Sequence, residues 1–177
     1  MRLVVIDVQN IFTDPGSPWA SPMWPEVEPN IARLLERFDN PIFTRWLAST
    51  ERGRAWGSYM EEWPNADVPD DDPLLDLVDG MPAGDVVSAR TFGKWEEIKN
   101  LGGTDHVVVC GLATDCCVIT TVLGAVDDGA WVTVISDACG GAARENHDVA
   151  IAAMSYFPPH VTVMTTDEFL SAHPGNG

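Results

Sequence analysis

The stretch DHVVVCGLATDCCVITTVLGAV, residues 105–126, changes its pattern twice. Residues 105–111 form a continuous apolar run, the signature of a strand buried on both faces of a parallel sheet. From Asp115 the pattern DCCVITTVLGAVDDG is helical, and Gly129 supplies its stop. A turn joins the two, and Cys116 and Cys117 stand side by side where the helix begins. A strand that delivers a turn and a helix N-terminus is the unit from which layered α/β proteins are built.

Working outward, further runs read as strands: RLVVIDV at 2–8, PIFTRW at 41–46, GDVVSA at 84–89, AWVTVISD at 130–137 and HVTVMTT at 160–166. Helical patterns lie between them. VEPNIARLLERF carries apolar residues at Ile31, Leu34, Leu35 and Phe38, and KWEEIKNL and ENHDVAIAAMSYF follow later, the last ahead of Pro158 and Pro159. Alternation of this kind predicts a three-layer α/β/α fold around a mostly parallel sheet of about six strands. No internal repeat or linker interrupts it, so residues 1–177 read as one domain. The segment at about 50–82 is an excursion from the sheet: it holds Trp56, Tyr59 and Trp63 and then the acidic DVPDDDP. Its aromatic residues either pack among themselves or wall a pocket near the strand ends.

With 10 Lys plus Arg against 27 Asp plus Glu, the net charge of −17 repels phosphate backbones and anionic lipid headgroups. Nucleic acid and membrane are therefore not expected as partners; a solubility charge, an electrostatic function or salt adaptation accounts for the acidity. The opening MRLVVIDVQ has an apolar run too short for a signal-peptide core, and no later run is long enough to span a bilayer, so a cytoplasmic location is expected. In a reducing compartment cysteines are more often buried, catalytic or metal-bound than paired.

Ligands of open parallel sheets bind outside the carboxyl ends of the strands. The first strand brings Asp7, followed by Gln9 and Asn10, to that side; the fourth brings CGLATDCC, residues 110–117. A carboxylate in an apolar setting is costly without partners, so Asp7 is either a satisfied structural acid or a functional one. A cysteine in the first turn of a helix gains from the dipole and free N–H groups, which favour its thiolate. The pair at 116–117 is open to three readings: structural filler, a redox couple, or a nucleophile and its neighbour. Cys110 and Cys139 fit a buried, inert role.

VVIDVQNIF and GLATDCCV together resemble the isochorismatase-like cysteine hydrolases, a Rossmann-like family that includes nicotinamidases and N-carbamoylsarcosine amidases. The likeness runs over nearly the whole chain, through GDVVSARTFGKW and VTVISDACGGAARENHDVAIAAM. It implies a C–N bond hydrolase acting on a small-molecule amide or ureide through a thioester. Laid on residues 111–118, the family pattern G-[LV]-A-T-D-x-C-V puts the nucleophile at Cys117 and leaves Cys116 on the variable position. It also implies Asp7 as general base and acid, an oxyanion hole from the backbone N–H groups of Ala113 and Cys117, and a cis peptide between Leu112 and Ala113. The family's lysine has no exact counterpart: Arg90 stands at the expected place and Lys94 four residues later, in a Gly-Lys-Trp turn. Lys94 is favoured, with Arg90 as the alternative, and Lys99 reads as solvated.

The likeness implies no organic cofactor and a homo-oligomer. The metal of nicotinamidases needs histidines after the second strand, and TRWLASTERGRAWGSY, residues 44–59, has none; His106, His147, His160 and His173 lie elsewhere. No metal is therefore expected, and each histidine reads as surface or satisfied core. Two rival readings stand beside the amidohydrolase: a binding protein that kept the fold without activity, and a vinyl ether hydrolase of isochorismatase type. A flavodoxin-like nucleotide binder is disfavoured, because no G-x-G-x-x-G or Walker pattern follows the first strand. Trp19, Trp24, Trp46, Trp56, Trp63 and Trp95 are candidates for an aromatic pocket wall or for the core.

Overall fold

In the computed structural model, which describes residues 1–174, six strands form one sheet. They are β1 (Arg2–Ile6), β2 (Ile42–Trp46), β3 (Asp85–Ala89), β4 (His106–Leu112), β5 (Trp131–Gly140) and β6 (Val161–Met164). Their order across the sheet is β3-β2-β1-β4-β5-β6, and every neighbouring pair is parallel. The chain thus leaves β1 toward one edge, returns to β4, and proceeds toward the other. The crevice between β1 and β4 is the topological switch point, where such sheets bind ligands.

Burial follows from position. The central strands are almost wholly buried, with Leu3–Ile6 and Val107–Leu112 inside the core, whereas edge strand β3 alternates and leaves Val86 exposed. Helices α2 (Trp24–Leu35) and α7 (Thr166–Ala172) cover one face; α4 (Trp95–Ile98), α5 (Ile119–Asp127) and α6 (Arg144–Met154) cover the other. The layers match the fold class expected from the sequence. The short α1 (Asn10–Thr13) and α3 (Arg54–Glu62) belong to a second apolar cluster at the carboxyl ends of the strands, built from Ile11, Phe12, Trp46, Met60, Leu75 and Leu112.

Several boundaries differ from the periodicity. β1 stops at Ile6 because Asp7 takes a left-handed backbone, φ 46, which a strand cannot continue through. β5 runs three residues past 137 because a bulge opposite Val109–Gly111 lets it re-pair, Gly111 with Cys139 and Leu112 with Gly140. Residues Thr114–Val118 form a π-helical turn ahead of α5, and the KWEEIKNL helix shortens to one turn.

Gly111 is where β4 must pass β1 most closely. Its φ of 118 lies outside the range of L side chains, and a Cβ there would collide with the Ile6 backbone. Replacing Gly111 with Ala is expected to cost about 3 kcal/mol or more, strain and overpacking acting together. Urea denaturation of the variant measures it.

Candidate active site

Asp7 and Lys94 meet behind the β1–β4 crevice. The Lys94 ammonium lies 2.8 Å from Asp7 Oδ2, and both side chains are fully buried. All its donors are spent: it also donates to the carbonyls of Thr91 at 2.9 Å and Phe92 at 2.8 Å. Asp7 Oδ1 accepts from the Thr44 hydroxyl at 2.5 Å, and the Asp7 N–H donates to the same Oγ at 3.0 Å. Oδ2 has no hydrogen-bond partner besides the ion pair. Burial pulls the Lys94 ammonium down, but the Asp7 charge and the Cys117 sulfur beside it outweigh that, so its pKa ends above the ordinary lysine value.

Arg90 lies apart from this pair. Its guanidinium donates to the Ala48 carbonyl and pairs with Asp70 Oδ2 at 2.5 Å, which anchors the acidic part of the excursion. The cation beside Asp7 is therefore Lys94, the favoured one of the two considered. Lys99 pairs with Glu96 on the surface.

The cysteine turn is held from three sides. Ala113 O accepts from the N–H groups of Cys116 at 3.0 Å and Val118 at 3.1 Å, closing the π-turn. The Leu112–Ala113 peptide is cis, and the Ala113 N–H has no protein acceptor among the described residues. The Thr121 hydroxyl accepts from the Lys94 N–H at 3.0 Å and donates to Cys117 O at 2.7 Å, so one side chain ties the lysine turn to the cysteine turn. Asp115 accepts from the Ala142 N–H at 3.0 Å and from Asn146 at 3.1 Å, and the Thr114 hydroxyl bonds His147 Nδ1 at 2.9 Å. His147 is thus a satisfied core histidine, pushed below its ordinary pKa chiefly by burial.

The two thiols differ. Cys117 is buried and Cys116 is partly exposed. A hydrogen bond with Cys116, then burial and the Asp7 charge, push the Cys117 thiol well above its ordinary value, against the opposing pull of Lys94. The same hydrogen bond pulls Cys116 down. A helix start by itself favours a resting thiolate; at Cys117 the hydrogen bond with Cys116, burial and the neighbouring carboxylate reverse that preference. Cys110 and Cys139 are fully buried, with Cys139 pushed up to about 12, mainly by burial.

Against the Leu112–Ala113 peptide that leads into this turn lies a cavity of about 240 Å³, lined by Phe12, Trp19, Ser21, Trp63, Leu112 and Ala113 among others. Trp56 and Tyr59 of α3 pack on Phe92, and Tyr59 also touches Trp19, so the excursion both packs and walls. Trp46 and Trp95 are core residues. Thr44, Thr121 and Gln9 were not singled out for these roles by pattern. Gln9 is buried, donating to Trp46 O at 3.0 Å and Leu75 O at 2.6 Å and accepting from Trp46 N–H at 2.7 Å, which fastens the excursion to the strand ends. A threonine inside the apolar IFTRW and a glutamine after VVIDV are the polar interruptions that mark two of them. Among the described residues no group of three or more His, Cys, Asp or Glu side chains is placed to hold a metal, and no helix is long and apolar enough to cross a membrane.

A three-layer α/β protein with this elbow belongs to a definable class, and comparison with known proteins agrees. Residues 1–168 match the isochorismatase domain family, and the chain belongs to that family. It is 43% identical over 135 residues to the nicotinamidase of Escherichia coli strain K12, a match covering 76% of this chain and 47% of that protein. It is 34% identical over 61 residues to isochorismatase domain-containing protein 2 of Rattus norvegicus, covering 34% of this chain and 29% of that protein. The chain thus spans less than half the length of these curated relatives. A cysteine hydrolase from Pseudomonas syringae pv. phaseolicola 1448A superposes with a TM-score of 0.81 at 18% identity, covering 96% of this chain and 90% of that one; at this identity the likeness shows the fold.

Removing one member of a buried ion pair strands the other charge. Lys94→Met is expected to lose about 3–5 kcal/mol of stability, measured by urea denaturation at pH 7. Because the folded pKa of Lys94 is raised, the pair's contribution is complete below the unfolded lysine value and is lost only as pH rises through the folded one. His147 has the opposite sign: its depressed pKa gives stability that is present above about pH 6.5 and lost as pH falls through the folded value. In His147→Gln, thermal midpoints taken between pH 7 and 5 should fall less steeply than in wild type.

Proposed function

We propose that the chain is a cysteine-dependent hydrolase that cleaves a C–N bond of a small-molecule amide or ureide through a thioester on Cys117. The observation that carries this reading is the sealed Asp7–Lys94 pair, whose two charges act directly on the Cys117 thiol. A structural carboxylate needs no thiol beside it. A cytoplasmic setting, a small-molecule substrate and self-association into a homo-oligomer complete the reading.

In the resting enzyme Cys117 holds its proton. When a carbonyl enters, Asp7 takes that proton as sulfur attacks, so nucleophile and base are generated in one step. A new C–S bond forms, and the carbonyl oxygen becomes an oxyanion facing the Ala113 and Cys117 N–H groups, each such donor contributing roughly 3 kcal/mol. Asp7 then returns the proton to the leaving nitrogen as the C–N bond breaks. Water attacks the thioester, Asp7 takes its proton, the C–S bond breaks, and the proton goes back to sulfur. Lys94 stays protonated throughout, holding Asp7 in place.

One observation favours a second reading in which Cys116 attacks: its thiol is the more acidic and more exposed of the two. Simple alkylation would label Cys116 first under either reading, so the acyl-enzyme itself is the test. Cys117→Ala is expected to abolish hydrolysis and thioester formation, seen by intact mass after mixing with an activated ester, while Cys116→Ala keeps most of both. The reverse pattern assigns the attack to Cys116. Asp7→Asn should lower kcat by roughly 10²-fold or more, as loss of a general base does.

A further inference from the structure

We propose that the acyl group of the substrate is compact, apolar and uncharged, and that Trp19 is the residue that selects it. This rests on the hydrolase reading above, in which the cavity over Ala113 receives the acyl group.

The cavity contains no ionisable side chain: its walls are Phe12, Trp19, Trp63, Leu112, small residues and the hydroxyl of Ser21. That hydroxyl is committed, donating to Gly141 O at 2.6 Å and accepting from Met23 N–H at 3.3 Å. Among the described residues no cation lines the cavity. Lys94 spends its three donors below the cavity, and Arg90 is held by Asp70 and the Ala48 carbonyl. A substrate carboxylate would lose its water and gain no counter-charge, which is strongly unfavourable.

An ammonium group is excluded differently. Cations bind aromatic walls when several ring faces are open to them. Here no carboxylate lines the cavity to pair with an ammonium, and Trp19 already commits ring surface to its neighbours. Trp19 stacks on Phe12 with centroids 5.9 Å apart and planes 8° from parallel. It also meets Trp46 at 5.2 Å, Trp63 at 5.7 Å and Tyr59 at 6.0 Å. Its backbone N–H donates to the Ser17 hydroxyl at 3.2 Å, and that hydroxyl donates to Ile11 O at 2.5 Å. Trp19 is therefore a wall fixed in advance, which favours a rigid or branched apolar group at little entropic cost. A volume of about 240 Å³ restricts that group to a small ring or short branched chain.

The probes are isobutyramide and benzamide, malonamate as the carboxylate and glycinamide as the cation, each tested as a competitor of 4-nitrophenyl acetate turnover by the full chain. The acetyl group is too small to test the wall, so a nitrophenol burst that is lost in Cys117→Ala tests the hydrolase reading alone. The two neutral amides should inhibit at concentrations at least about tenfold below the charged ones. Trp19→Leu should shrink that gap by raising the inhibition constants of the neutral amides. Ala142→Arg, at an exposed residue on the cavity rim, should improve malonamate inhibition at least about tenfold by supplying the missing counter-charge. A burst with charged amides competing as well as neutral ones, or with no amide competing, overturns the proposed selectivity and leaves the hydrolase standing. No burst in wild type overturns both.

Discussion

A lysine and an aspartate with no solvent exposure face each other at 2.8 Å, and much of the surrounding structure exists to make that tolerable. Two charges removed from water recover their loss only when the remaining lone pairs and protons are also satisfied. Four separate places in the chain position and support the pair. β1 must end at Ile6 so that Asp7 can turn into the left-handed region; β2 must place Thr44 beside it; the 91–94 turn must aim two carbonyls at the ammonium. The fourth is Thr121 of α5, whose hydroxyl accepts from the Lys94 main-chain N–H and donates to Cys117 O. The pair therefore sets the position of the cysteine turn as well as its electrostatics.

The layers of the fold were legible because long apolar runs and helical periods report burial directly. RLVVI and HVVVCGL are continuous because they lie at the centre of the sheet, and that is a local property of each segment. The strand end at Asp7 was not legible, since a carboxylate within an apolar run gives no sign of backbone handedness. The choice between Arg90 and Lys94 was open for a similar reason: four residues separate them, and only the path of the 89–95 turn decides which ammonium or guanidinium points inward. Gly93 helps to set that path by lying close to the Thr120 backbone of α5.

The cysteine pair shows where local reasoning about charge breaks down. A helix start favours a thiolate, and that effect is real at short range. At Cys117 it competes with the hydrogen bond to Cys116, with burial and with a nearby carboxylate, and all three favour the neutral form. Cys116, one residue away and partly exposed, feels less of the last two. No sequence pattern distinguishes the two environments, because burial of one neighbour and exposure of the other depend on how α3 and the 89–95 turn close over the elbow.

Under the proposed mechanism, a Cys117 that keeps its proton at rest suits this site. A permanent thiolate next to Asp7 would place two anions against one ammonium, and like charges at that range are costly in a medium from which water is excluded. Keeping the proton on sulfur until the carbonyl arrives leaves the buried charges balanced at one and one. In the proposed reaction the developing negative charge would move outward, from sulfur to the carbonyl oxygen, toward the Ala113 N–H beside the cavity. The buried Asp7–Lys94 pair does not line the cavity whereas Leu112 and Ala113 do, so in the proposed reaction the scissile carbonyl is the group that must reach from the apolar walls toward the charges.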